Sequence, residues 1–245
     1  MGLREFHSRI RDKFRFSKKE FRDFTIIVLL CALILGFNDG RRVFEMQKWL
    51  INLLECLIAS IIAVFLHIAV QKAVGLREGY LVEFFAWTYG LGAGLLFMLM
   101  SLGKVIILAP FGFNVEHHEG LRLGRFRYGI MYEELSKIAL YGILSNIALA
   151  FILKLIFPDT VLSFIRNLIK ANVYLAIYSI LPFPSLDGFK IFFHRRLAWA
   201  FFAAFVITLG SFILAFKSSL IILLFGICGG LFGLIIWSFM VDKNG

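Results

Sequence analysis

The stretch "NVYLAIYSILPFPSLDGFKIFF", residues 172–193, reads as an apolar helix broken in its second half. Pro182 and Pro184 remove two backbone donors, and Asp187–Gly188 follows at once. Ionisable groups inside apolar spans are expensive and mark function by default. A simpler reading is also open, in which proline ends one helix and the aspartate caps the next.

The rest of the chain supplies the solvent for that carboxylate. Of 245 residues, 60% are hydrophobic and 17% charged, 29 are Phe, and mean hydropathy is +0.85. A soluble domain of this size lacks the interior to hide so much apolar surface. The expectation is an all-α polytopic membrane protein, because a spanning backbone must satisfy its own hydrogen bonds. Apolar runs fall at 25–37, 49–71, 84–108, 136–157, 168–193, 197–216 and 218–241, with Trp49, Trp87, Trp199 and Trp237 at or near their ends. The net charge of +10 sits in short segments flanking these runs, which argues for lipid headgroups and against nucleic acid. Cys31, Cys56 and Cys228 lie far apart in apolar stretches, without disulfide or metal-ligand spacing.

Residues 1–24 read as a cytoplasmic basic segment, and 25–241 as a single transmembrane domain. The basic part is too long for a signal peptide, holds four acids and precedes no A-x-A-like cleavage site. Eight positive charges between Arg4 and Arg22 orient the N-terminus to the cytoplasm of a cell-membrane protein. Basic residues also follow the second run (Lys72, Arg77), fill the central loop (Arg122, Arg125, Arg127) and follow the fifth (Lys190, Arg195, Arg196). If all three places are cytoplasmic, the run 84–108 makes no net crossing. Its Gly90, Gly92, Gly94 and Gly103 suit a re-entrant or hairpin segment, leaving about six spans. Arg41, Arg42 and Lys48 would then lie outside, against the positive-inside rule.

In the second run, "WLINLLECLIASIIAVFLHIAVQKAVG" (49–75), Glu55 and His67 are ionisable, and Gln71 shares a helix face with His67. His67 lies five residues before Lys72 and Asp187 three before Lys190, which puts both at similar depth. Taken singly, a membrane histidine is more often bonded to a neighbouring helix than to a ligand. Together these pieces resemble the site-2 protease family of intramembrane zinc metalloproteases. "LHIAVQKAVG" (66–75) stands where that family has H-E-x-x-H, and "IALYGILSNIALAFIL" (138–153) resembles its G-P-x-x-N-like element through Gly142 and Asn146. The stretch quoted first resembles its N-x-x-P-x-x-x-L-D-G motif through Pro182, Pro184, Asp187 and Gly188, with Ser179 in place of the Asn. "KVIILAPFGFNVE" (104–116) is similar to the segment between the first two, and the resemblance covers roughly 49–196.

The resemblance implies zinc ligands at His67 and Asp187, with a substrate cleft framed by Gly142, Asn146, Pro182, Pro184 and Gly188. The general-base position is Ile68 and the second-histidine position Gln71, so no residue is assigned as catalytic. Isoleucine cannot take a proton, and a lost general base costs a factor of roughly 10² to 10⁴. Glu55 stands about three turns from His67, too far to replace it. His117, His118 and Glu119 in "VEHHEG" are read as a solvated loop. The expectation is a pseudoprotease that holds a transmembrane helix or other membrane partner without cutting it, with substoichiometric zinc. A divergent active zinc protease and a membrane scaffold or small transporter are the alternatives.

Overall fold

The computed structural model describes residues 3–41, 43–117, 131–158, 162–216 and 225–235. Helix α1 (Leu3–Lys13) leads to α2 (Lys18–Gly36), which starts ahead of the apolar run at 25. Ser17 caps α2 by accepting from the Glu20 amide, while the Glu20 carboxylate accepts from the Ser17 amide. Helix α3 (Met46–Glu78) has 33 residues and is about 50 Å long. It ends where Gly79 adopts φ +91°, a left-handed conformation suited to glycine. Next come β1 (Tyr80–Ala86), α4 (Thr88–Met100), β2 (Phe111–His117), α5 (Tyr132–Ile156), α6 (Ser163–Ser179), α7 (Asp187–His194), α8 (Arg196–Ala215) and α9 (Phe225–Ile235).

Three of these helices, α3, α5 and α8, are long and apolar enough to cross a membrane. Their outward faces carry large exposed side chains such as Leu54, Phe65, Ile152 and Leu197, as lipid contact requires. This is a membrane protein built chiefly of helices. The helical membrane fold agrees with the all-α expectation, to which the structure adds one short ribbon, β1 and β2, pairing antiparallel from Tyr80↔His117 to Ala86↔Phe111. A two-stranded ribbon is marginal alone. Here its free edge is held by side chains from neighbouring helices. The Phe84 and Ala86 amides donate to Glu20 Oε1 and Asp23 Oδ2 (both 3.3 Å), and Lys72 Nζ donates to the Val82 carbonyl (2.9 Å). Lys72 also pairs with Glu20 at 2.7 Å, and both are buried.

The run 84–108 therefore leaves and returns at one place, where the Trp87 amide donates to the Pro110 carbonyl (2.9 Å). Between these points α4 has 13 residues, about 20 Å, less than the roughly 30 Å hydrocarbon core. Its glycines have a packing reason: a Cβ at Gly94 would lie 2.6 Å from the Ile107 carbonyl oxygen of the returning chain. Around this hairpin, α3 packs against α2, α5 and α6, and α5 packs against α6 and α7. The fifth apolar run is split into α6 and α7. Pro182 and Pro184 lie in the break and Ser185 takes φ +78°. The Trp199 indole donates to the Ile180 carbonyl that the break leaves free (2.9 Å). A Cβ at Gly188 would collide with that same carbonyl, so α7 closes on the end of α6 only with glycine there. His118, Glu119 and the three arginines of the central loop, with Trp237 and much of the run 218–241, lie outside the described residues.

Candidate functional site

His67 and Gln71 lie on the buried face of α3, and Asp187 is the first residue of α7. His67 is 0% exposed and Asp187 1%. His67 Nε2 is 2.7 Å from Asp187 Oδ2, and Gln71 Nε2 donates to the same oxygen (3.0 Å). The ring of Phe111, at the start of β2, meets the imidazole edge-on with centroids 5.1 Å apart. Gly142 on α5 makes the room: a Cβ there would lie 2.7 Å from His67 Nε2 and 2.8 Å from Gln71 Cγ.

A chain of amides fixes the histidine tautomer. Asn172 Nδ2 donates to the Leu168 carbonyl (2.8 Å), so Asn172 Oδ1 faces Asn146. Asn146 Nδ2 donates to that oxygen and to the Ala63 carbonyl (3.1 Å each). Asn146 Oδ1 therefore accepts from His67 Nδ1 (2.9 Å), and Nδ1 carries hydrogen. Nε2 is left pointing at Asp187. Nε2 lies 2.7 Å from Asp187 Oδ2, and the Gln71 amide nitrogen lies 3.1 Å from the same ring nitrogen. The polar network joins α3, α5, α6 and α7 in one buried connection. Gln71 Oε1 and Asp187 Oδ1 are left buried without donors.

The Nδ1 arrangement matches that of a metal-binding histidine, whose other nitrogen donates to an oxygen acceptor. The remaining donors do not complete a zinc centre. Zinc bridging one N and one O at ~2.0–2.2 Å in tetrahedral geometry would hold them about 3.3 Å apart. The 2.7 Å separation is that of a direct hydrogen bond. The third position is a neutral amide, and no group of three His, Cys, Asp or Glu suited to a metal occurs among the described residues. Ile68 is 0% exposed and packs in the apolar core, so the position after His67 carries no ionisable group.

The other residues singled out in the sequence fall as follows. Pro182, Pro184 and Gly188 shape the break that presents Asp187. Glu55 lies about 18 Å along α3 from His67. It accepts from Asn167 Nδ2 (3.1 Å) and Ser163 Oγ, outside the site. His117 pairs with Tyr80 at the far end of the ribbon, about 20 Å of strand from Phe111. Asn172, which completes the amide chain, was not anticipated. Its signal in the sequence is an asparagine inside an apolar run, next to Ala171 and one helical turn after Leu168 on the buried face of α6. Lys190 was read only as a topological charge, yet its ammonium lies over the Phe113 ring at 3.9 Å.

No family model matches the chain, and no solved structure does. Among curated proteins it is 33% identical over 192 residues to "Putative zinc metalloprotease MJ0611" of Methanocaldococcus jannaschii. The match covers 76% of this chain and 90% of the relative. At that identity and coverage, this membrane protein belongs to the relative's metalloprotease-like family.

Proposed function

We propose that this chain is a site-2-protease-like pseudoprotease. It is a multi-pass cell-membrane protein with a cytoplasmic N-terminus, whose metal centre has become a hydrogen-bonded latch. Its function is to hold a transmembrane helix or another membrane partner without cleaving it. The observation that carries this reading is the 2.7 Å His67–Asp187 contact, flanked by Ile68 and by the Gln71 amide. The His67–Asp187 contact holds α3 to α7. Gln71 braces Asp187, and the Asn146–Asn172 pair holds the ring. The two free acceptors, Gln71 Oε1 and Asp187 Oδ1, are suited to backbone N–H groups of a locally unwound guest segment.

A second reading, a divergent active zinc protease, draws support from the His67 tautomer and from those same two acceptors. Where zinc is bound in a protease of this class, it supplies an acidic water and polarises the scissile carbonyl. The position after His67, where the resemblance implies a general base, is Ile68, which cannot receive that water's proton. The discriminating experiment installs Ile68→Glu and Gln71→His together and measures zinc binding by the purified protein. The pseudoprotease reading expects zinc to be gained only in the double variant. Cleavage of a membrane peptide by the unmodified protein, abolished by Asp187→Asn, would overturn it.

A further inference from the structure

A second cavity, of about 660 Å³, opens at the opposite end of the helices from His67. It lies between the end of α2, the first turns of α3, the turn after α4, and α6. Five cations line it: Arg41, Lys48, Lys104, Arg166 and Lys170. Two have carboxylate partners, Arg41 with Asp39 (3.7 Å) and Lys48 with Glu45 (2.7 Å). Lys104, Arg166 and Lys170 have none within ion-pairing distance among the described residues, and Lys170 is half-buried.

The remaining carboxylate in the wall, Glu55, is occupied by Ser163 and Asn167, and Asn167 Nδ2 also donates to Asn52 Oδ1 (3.1 Å). The N-cap residue of α6 is Leu162, which makes no side-chain cap hydrogen bond. Ser163, Arg166, Asn167 and Lys170 line the cavity, so the positive end of the α6 dipole lies on its side. An uncompensated half-buried ammonium beside a guanidinium and an uncapped helix start calls for an anion with several acceptor oxygens. Leu35, Ile51 and Ile106 give the cavity an apolar wall.

We infer that this cavity is a binding site for a phosphate-bearing anion, distinct from the latch and placed at the other membrane face. The chemistry is shared by an anionic phospholipid headgroup and by a free phosphate. A lipid source agrees with the apolar wall.

The test uses the full chain in a nonionic detergent, titrated with phosphatidylglycerol, phosphatidylcholine and inorganic phosphate, with bound ligand counted by native mass spectrometry. The expected result is one saturable phosphatidylglycerol site, weakened about fivefold for each cation removed and about 25-fold in Arg166→Gln with Lys170→Met. Arg166→Lys should retain binding, and Lys19→Gln at the other basic end should leave it unchanged. If the double variant does not fold, Lys104→Gln, on an exposed turn, should still give the fivefold loss. Indifference to millimolar phosphate would support the headgroup as ligand. Displacement by phosphate would support a free oxyanion. Absence of a saturable site for either, or binding unchanged when the cations are removed, would overturn the inference.

Discussion

Gly142→Ala adds one methyl at the most crowded contact of the latch. The new Cβ would lie 2.7 Å from His67 Nε2, 2.8 Å from Gln71 Cγ and 2.9 Å from Gln71 Nε2, against an ordinary contact of about 3.5–4 Å. Gln71 could swing its amide away only by giving up its bond to Asp187. His67 cannot turn, because Asn146 holds Nδ1 and Asp187 holds Nε2. Overpacking of this kind costs about 1–3 kcal/mol. A hydrogen bond to a charged group contributes about 1.5–3 kcal/mol more if Gln71 lets go. Alanine returns about 1 kcal/mol of helix propensity. The net is a destabilisation of about 1.5–5 kcal/mol, from the same ranges. Equilibrium unfolding in mixed detergent micelles, repeated in a Gln71→Ala background, would measure it. The penalty should shrink by at least ~1 kcal/mol when Gln71 is shortened, as expected for groups in contact. A neutral or stabilising Gly142→Ala in both backgrounds would refute the packing of α5 against this pair.

Two further outcomes follow from buried partners. Asn146→Ala should cost about 1–3 kcal/mol in the same unfolding assay, because His67 Nδ1–H loses its acceptor in an enclosed site; a change under ~0.5 kcal/mol would contradict the assigned tautomer. Glu20→Gln or Lys72→Met alone should each cost about 3–5 kcal/mol, while Glu20→Leu with Lys72→Met recovers most of it. Additive losses in that pair would mean the two do not compensate each other.

Much of the site was legible because its residues are exceptions to their surroundings. In apolar runs, a histidine, a glutamine one turn later and an aspartate after two prolines stand out by the cost of burying them. The reason for Gly142 was legible only as a motif position; its physical cause is the imidazole against it. The ribbon was hidden because "YLVEFFA" and "FGFNVEH" are short, and the hairpin inserted between them separates the partners. Nor does sequence show that Glu20 and Asp23, in a segment that looked like a basic extension, turn inward to cap the edge of β1. Charge counts saw the excess of Lys and Arg there and could not see two carboxylates satisfying strand amides. The cation cavity was equally hidden, since Arg41 and Lys48 had registered only as charges on the wrong side for topology.

The central claim is that the His67–Asp187 pair is a latch and not a zinc centre. Elemental analysis of the purified, unmodified protein tests it most directly. The account predicts substoichiometric zinc, unaffected by His67→Ala. One tightly held zinc per chain, lost in both His67→Ala and Asp187→Asn, would contradict it.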